Sequence, residues 1–171
     1  MVVSPFGTIG PFFPFEFADE LSDLTQGEHI VLTGRVLEDK GVPTRNSIVE
    51  IWQPDAKGIL HHPSDPRYAE RDLSFKGFGR ARSDADGWYK FRTVIPGASP
   101  GRAPHINAMV LAIGLTRRAV TTIFFSDAPD PVLECVPKER RSLVIAQKQA
   151  DGTYRFDFNL RGENETPFFR D

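Results

Sequence analysis

Apolar and polar residues alternate along most of this chain with the two-residue period of β-strands, and glycine- or proline-containing turns separate the alternating segments. The predicted strands are residues 28–36, 47–52, 88–94, 104–113, 118–125 and 154–160. The predicted turns between them are residues 37–41, 83–87 and 150–152. Short strands at this spacing predict an all-β protein, an immunoglobulin-like or prealbumin-like β-sandwich with long loops and one short helix.

The predicted helix covers Pro137 to Gln147, because proline is favoured in the first turn of a helix. Residues 54–79 form a long irregular connection that contains three prolines and three glycines. Connections of this length are uncommon unless they serve a function. No repeat or second unit is visible, so residues 1–171 are predicted to form a single domain.

Composition narrows the functional class. The chain has 171 residues and a net charge of -2, a balance that is not typical of nucleic-acid-binding proteins. No stretch approaches the roughly 20 apolar residues of a membrane-spanning helix, and the first residues do not resemble a signal peptide. Cys135 is the only cysteine, which predicts a cytoplasmic protein without an intrachain disulfide and a buried, inert thiol.

Phenylalanine is unusually abundant near the two ends of the chain. There are 14 phenylalanines against 3 tyrosines and 2 tryptophans. The terminal ones are Phe6, Phe12, Phe13, Phe15, Phe17, Phe156, Phe158, Phe168 and Phe169. Aromatic residues without a long helix to bury them indicate termini that pack either on the core or on another subunit.

The best candidate for metal chemistry is the stretch from Arg102 to Asn107. On a strand, His105 and residue 107 point to the same face, so a second histidine there would complete a pair of metal ligands. The residue is Asn107, whose amide is a poor ligand for a transition metal. The adjacent His61 and His62 point in opposite directions on an extended chain, which favours a surface pair over a shared metal. His29 has no evident partner in the sequence.

Together these segments resemble the intradiol ring-cleavage dioxygenases over nearly the whole chain. The matching segments are residues 8–12, 49–56, 78–80, 86–97, 102–107, 154–157 and 162–169. The Trp-Gln, Pro-Gly and Ala-Pro-His-Ile elements are specific when they occur in this order. The resemblance implies a family of enzymes in which Fe(III), held by two tyrosinates and two histidines, activates a catechol for attack by O2.

Carried over by position, the resemblance implies a degenerate metal site. The two tyrosine positions fall on Leu60 and Ser99, and the two histidine positions fall on His105 and Asn107. Three of the four ligands are therefore missing, and one histidine cannot hold catalytic iron. Tyr68 and Tyr89 are expected to be structural.

Within the family, the chain is most similar to the non-iron alpha chains that pair with a homologous beta chain. The resemblance implies that the beta chain binds Fe(III), that the catechol and O2 react there, and that the lone alpha chain is inactive, with no catalytic residue or metal of its own. Residues 1–27 are expected to form an arm that packs on the partner. The expected contribution to the partner's substrate pocket comes from Thr8, Gly10, Pro11 and Phe12. Alpha-beta pairs are expected to build a larger hetero-oligomer, without nucleic acid or membrane.

Two positions refine these expectations. Thr122 replaces a family arginine near the substrate entrance, which leaves a related carboxylated catechol open as the substrate. Arg102, without iron beside it, is expected to form a structural ion pair or to lie at the subunit interface. Two alternatives stand beside this interpretation: a self-sufficient dioxygenase with unusual ligands around His105, and a non-enzymatic β-sandwich binding module.

Overall fold

A computed structural model describes residues 22–169, which fold into two β-sheets packed face to face. The strands are β1 (His29–Leu37), β2 (Ile48–Trp52), β3 (Phe78–Arg82), β4 (Trp88–Val94), β5 (His105–Leu111), β6 (Ala119–Phe124), β7 (Gln147–Lys148), β8 (Tyr154–Arg155) and β9 (Phe158–Asn159). The first sheet has the order β4-β1-β8-β7, with β9 also paired to β1, and the second has the order β3-β2-β5-β6. The predicted all-β sandwich is confirmed.

Helical structure is limited to short segments. The α-helix α1 covers Pro131–Glu134, and 3-10 helices cover Asp39–Gly41, Tyr68–Glu70 and Lys138–Val144. Over residues 22–169, no helix has the length and apolar character needed to span a bilayer.

Alternation explains how the strands form the main core. In β4, Tyr89 and Phe91 point inward while the alternate residues Trp88, Lys90 and Arg92 are exposed. In β5, Ile106, Ala108 and Val110 form the inward row. The two rows meet between the sheets in one buried cluster, and the remaining side chains of each strand form the outer face of their sheet.

The predicted strand 154–160 is present as two short strands that share one register on β1. Tyr154 pairs with Leu32 and Phe158 pairs with Val36, both in parallel orientation. Between them, the Arg35 amide donates to the side chain of Asp157 (2.9 Å) instead of to a backbone carbonyl. A carboxylate therefore replaces one bond of the ladder and divides the strand.

Gly34 permits the close approach at this point. A Cβ at residue 34 would lie 1.7 Å from the carbonyl oxygen of Phe156. The same oxygen accepts a hydrogen bond from the buried Tyr89 hydroxyl (2.6 Å). Only glycine leaves room for this junction between the first and last strands.

Two elements differ from the sequence predictions. Strand β3 was not predicted, because its inward residues, Gly79 and Ala81, are too small to give a hydrophobic alternation. Of the predicted helix Pro137–Gln147, residues Lys138–Val144 are helical, but they form a 3-10 helix in which only Val144 is buried. Without a buried stripe at helical spacing, packing does not support a regular α-helix.

A second, smaller core covers one end of the second sheet's outer face. Phe124, Leu133, Val136 and Val144 form this cluster, which joins the end of β6 to α1 and the 3-10 helix. Cys135 lies beside it but is exposed, so the prediction of a buried thiol is wrong. As the residue that ends α1, it points to solvent while its neighbours Leu133 and Val136 face the cluster.

Candidate functional site

The four positions of the expected metal site come from three parts of the fold. Leu60 lies in the long connection after β2, Ser99 follows β4, and His105 and Asn107 lie on the outer face of β5. The Ser99 hydroxyl donates to the carbonyl of Gly58 (3.1 Å), which brings the turn after β4 against the loop that contains Leu60.

The loop around Leu60 is held by a buried carboxylate. Asp55 accepts hydrogen bonds from the amides of Lys57 (2.8 Å), Ile59 (3.0 Å) and Asp72 (2.9 Å). Gly58 has a positive φ of 79°, and a Cβ there would lie 2.0 Å from the carbonyl oxygen of Ala98. The bonds to Asp55 and the close approach at Gly58 therefore fix the backbone of this loop, whose side chain at the ligand position is leucine.

Two further carboxylates anchor the rest of this connection. The amides of Leu60 and Arg67 donate to Asp65, and these bonds hold the pKa of that carboxyl below its ordinary value. Asp72 accepts from the Gln26 amide (2.7 Å) and from Ser74. Burial opposes the ionisation of Asp72, but the bonds from Ser74 and Gln26 outweigh it and lower its pKa.

His105 keeps the orientation of a metal ligand. It is 5% exposed, and its Nδ1 lies 2.8 Å from the carbonyl oxygen of Ala103, so Nδ1 holds the proton and Nε2 has the lone pair. Burial lowers the pKa of His105, with a smaller opposing effect from the Ala103 carbonyl. The imidazole is therefore neutral at pH 7, the form that binds metals.

Asn107 does not complete this arrangement. It is exposed, and its Oδ1 accepts a hydrogen bond from the Thr122 hydroxyl (3.1 Å) across the strand pair. Leu60 has no donor atom, and the Ser99 hydroxyl is engaged with Gly58. The residues at the four positions therefore do not fit Fe(III), and over residues 22–169 no three His, Cys, Asp or Glu side chains are grouped to hold a metal ion.

Arg102 forms the structural ion pair that was one of its two expected roles. Its Nε lies 2.8 Å from Oδ2 of Asp130, which is 1% exposed. Asp130 also accepts from the amides of Ala103 (2.9 Å) and Val132 (2.8 Å), and so caps α1. Burial opposes the ionisation of Asp130, but these bonds outweigh it and lower the pKa.

The remaining candidates have structural surroundings. Nδ1 of His61 lies 2.9 Å from the Phe75 carbonyl, whereas His62 is exposed and contacts Ser64, so the two adjacent rings have different surroundings. Tyr89 is buried in the main core, and burial raises its pKa well above the ordinary value. Tyr68 lies under the guanidinium of Arg71, 3.7 Å from its ring centre.

The expected contributors to a partner's pocket, Thr8, Gly10, Pro11 and Phe12, lie outside the described residues. The last part of the expected arm, residues 22–27, contacts its own chain. The Thr25 hydroxyl donates to the Ser74 carbonyl (3.2 Å), and the Gln26 amide donates to Asp72. Residues 22–27 of the expected arm are therefore held by their own chain.

Sequence reasoning missed the buried carboxylates that hold these loops. Asp130 had a readable signal, since aspartate followed by proline is typical of the first residues of a helix. Asp55 and Asp72 each accept from an amide two residues further along the chain, which is a local turn pattern. Their bonds from the amides of Asp72 and Gln26, respectively, join distant residues and had no signal in the sequence.

Comparison with known proteins places this site in a family. The family model described as "Dioxygenase" matches residues 16–162. The chain is 32% identical to the protocatechuate 3,4-dioxygenase alpha chain of Burkholderia cepacia, covering 97% of this chain and 96% of that protein. It is 38% identical to the beta chain of the same organism, covering 84% and 69% respectively. The alpha chain of Pseudomonas putida is 36% identical, covering 84% and 76%.

Solved structures agree on the fold. An intradiol ring-cleavage dioxygenase from Tetranychus urticae aligns with a TM-score of 0.63 at 22% identity, covering 98% of this chain and 100% of that one. Hydroxyquinol 1,2-dioxygenase from Pseudomonas putida DLL-E4 aligns with a TM-score of 0.61 at 21% identity, covering 93% and 67%.

Proposed function

This chain belongs to the intradiol dioxygenase family of oxidoreductases, and from that premise we propose that it is the non-iron alpha subunit of a protocatechuate 3,4-dioxygenase. The observation that carries the proposal is the systematic loss of ligands at Leu60, Ser99 and Asn107 within an otherwise complete fold. A single lost ligand would indicate a damaged active site. Three lost ligands on a well-ordered frame indicate a chain whose role does not need the metal.

Overall identity does not separate the two chain types, because the chain is similar to both alpha and beta relatives. The residues at the four ligand positions support the assignment as an alpha chain. In the proposed complex, the homologous beta chain binds Fe(III), and protocatechuate is cleaved with O2 between its two hydroxylated carbons to 3-carboxy-cis,cis-muconate. Thr122, which is hydrogen-bonded to Asn107, leaves a related carboxylated catechol as a second possible substrate.

The proposed contribution of this chain is to shape the partner's pocket. The N-terminal segment acts as the arm. Its residues Thr8, Gly10, Pro11 and Phe12 form part of the wall of the partner's substrate pocket. Gly10 and Pro11 favour a tight turn whose backbone can approach a flat aromatic ring closely. The complex would be a cytoplasmic hetero-oligomer of alpha-beta pairs.

The direct test is to produce this chain alone and together with a beta chain, and to measure iron content and ring cleavage. The proposal expects iron and turnover only when the beta chain is present. Stoichiometric iron and turnover by the lone chain would overturn it.

His105 distinguishes this proposal from a self-sufficient dioxygenase. In the complex, His105→Ala is expected to leave the iron content unchanged, because the iron belongs to the partner. The matched substitution is at the equivalent histidine of the beta chain, which is expected to remove the iron. Loss of iron with His105→Ala would favour a metal site in this chain.

The arm has its own test. Deleting residues 1–11 is expected to raise KM or lower kcat of the complex, while the iron content and the assembled size stay unchanged. Unchanged kinetics would contradict a contribution of Thr8, Gly10 and Pro11 to the pocket.

A further inference from the structure

Strand β4 forms one edge of the first sheet, and its backbone groups alternate between β1 and the opposite side. The Ile95 amide donates to the Glu28 carbonyl (2.9 Å). At the other end of the pair, the Val36 amide donates to the Gly87 carbonyl (2.9 Å). Because these bonds lie at the two ends of one ladder, the odd-numbered residues of β4 bond to β1. The even-numbered residues between 88 and 94 therefore point their amides and carbonyls away from β1.

Both ends of this outward-facing edge have partners within the chain. The Trp88 carbonyl accepts from the Asp84 amide (2.9 Å), and the Trp88 amide donates to the Asp84 side chain (2.8 Å). At the far end, the Gln53 side chain donates to the Val94 carbonyl (2.9 Å). The turn before β4 and the end of β2 therefore close the edge on either side of a short interval.

Lys90 and Arg92 lie in this interval, and over residues 22–169 neither their amides nor their carbonyls have a hydrogen-bond partner. We call residues 90–92 the open edge. A further antiparallel strand could exchange a pair of hydrogen bonds with each of the two residues. The outer edge of the second sheet differs, because β6 already accepts from the amides of Ala146 and Phe169.

The side chains of the open edge determine which strand fits there. Lys90 and Arg92 are exposed and point to the outer face of the sheet. Among the described residues, Lys90 has no acidic partner, and the acidic partner of Arg92 is Asp23, at 3.8 Å, with both side chains more than half exposed. Exposed pairs of this kind contribute less than about 1 kcal/mol, so another carboxylate can replace Asp23.

The spacing of the two cations fixes where the matching charges must lie. On an antiparallel strand, the residues opposite Lys90 and Arg92 are two positions apart and point to the same face. Acidic residues at these positions would each form a cross-strand ion pair, whereas basic residues would face a like charge. The same rule disfavours a second copy, because two β4 edges related by a twofold axis place cations opposite cations.

We propose that the open edge of β4 binds an extended segment of another protein that carries acidic residues at alternate positions. The segment extends the first sheet beyond β4, and its carboxylates lie beside Lys90 and Arg92 on the outer face. This binding requires neither iron nor the beta chain. Its failure would therefore leave the proposed enzymatic role untouched, and a failed enzymatic role would leave this binding site untouched.

The test uses a short synthetic peptide in which glutamate alternates with threonine, and the matched control peptide has lysine in place of glutamate. Hydrogen exchange of the Lys90 and Arg92 amides is measured by NMR in the full chain during a titration with each peptide. The acidic peptide is expected to slow exchange at both amides at least about tenfold at saturation, because each amide gains a hydrogen bond. The basic peptide is expected to leave both exchange rates unchanged.

Charge reversal in the chain provides the second measurement. The joint substitutions Lys90→Glu and Arg92→Glu are expected to weaken binding of the acidic peptide at least about tenfold, because two attractive cross-strand pairs become repulsive. The control is Lys148→Glu, at an exposed lysine on the other edge of the same sheet, which is expected to leave binding unchanged.

Three results would overturn the proposal. The first is equal slowing of exchange by the basic peptide. The second is binding of the acidic peptide that leaves the Lys90 and Arg92 amides in fast exchange, since the peptide would then contact side chains alone. The third is slow exchange of both amides before any peptide is added, which would mean that the edge is already covered. Slowing that increases with protein concentration would assign that cover to a second copy.

Discussion

The outer faces of the two sheets present the same residue type in opposite surroundings. On the first sheet, Trp88 is 38% exposed and lies between two guanidinium groups, with Arg35 5.5 Å and Arg155 5.2 Å from its ring centre. Arg155 is in turn paired with Asp157. On the second sheet, Trp52 is 46% exposed, and its neighbours are Phe78 and the edge of the His62 ring.

The difference shows that the neighbours of an exposed ring determine whether it is stabilised by being covered. The Trp88 ring packs against guanidinium groups. Because these polar groups already have partners, the surface gains little free energy from being covered. A ring beside further apolar side chains gains by losing its contact with water. Exposure alone does not distinguish the two cases, and the neighbours do.

The largest expected effect is the destabilisation of the second, smaller core at the end of β6. Asp130→Ala removes the cap of α1 and leaves Arg102 and the Ala103 amide without their carboxylate. We expect a loss of about 3 kcal/mol in the free energy of unfolding, measured by urea denaturation.

The control is Asp127→Ala, which removes the exposed partner of Arg141. Its expected cost is below about 1 kcal/mol. Equal losses in the free energy of unfolding for the two variants would mean that the second, smaller core does not depend on Asp130.

Acid should weaken the same end of the molecule. Because the pKa of Asp130 is lower in the folded chain than in the unfolded chain, the stabilisation is complete at neutral pH and is lost as the pH falls below about 4. Asp65 and Asp72 act in the same direction. Denaturation measured from pH 6 to pH 3 should show this fall, and Asp130→Ala should show a shallower one. Parallel curves would contradict this assignment.

The two tryptophans are expected to differ in their contribution to stability by less than about 1 kcal/mol. Trp88→Ser is expected to cost about 1 kcal/mol in the free energy of unfolding, because two cation-π contacts are lost. Trp52→Ser is expected to cost less, because this ring is 46% exposed. Urea denaturation of both variants checks the order. A larger loss in the free energy of unfolding for Trp52→Ser would mean that Trp52 also makes stabilising contacts on the outer face of the second sheet.

The smallest expected effect concerns Asn107, which lies on β5 between Trp52 of β2 and Thr122 of β6. Asn107→His restores a His-x-His pair with His105, but Leu60 and Ser99 supply no tyrosinate. We therefore expect no stoichiometric iron in the purified chain by elemental analysis. Full iron occupancy would show that two imidazoles suffice in this frame.

The sequence predicted those parts of the fold in which side-chain chemistry repeats locally. Strands with large inward residues, such as Phe91 in β4 and Ile106 in β5, were predicted within a few residues of their bounds. Strand β3 was not predicted, because the space on the inner side of Gly79 is filled by the ring of Phe91 from another strand. The division of the last strand depends on Asp157 reaching Arg35, which no local pattern reveals.

The candidate site divides in the same way. His105 and Asn107 lie two residues apart on one strand, so it could be predicted from spacing alone that they share a face. Leu60 and Ser99 became candidates only through the family resemblance, because loop contacts such as that of Ser99 with Gly58 bring them to the same region.

The pairing between the first and last strands has a consequence for biosynthesis. The Arg35 amide is bonded to Asp157, 122 residues later, and Tyr89 reaches the Phe156 carbonyl. The first sheet therefore cannot close until nearly the whole chain has left the ribosome. A nascent chain that stops before Phe156 therefore leaves this side of β1 as an unpaired strand edge.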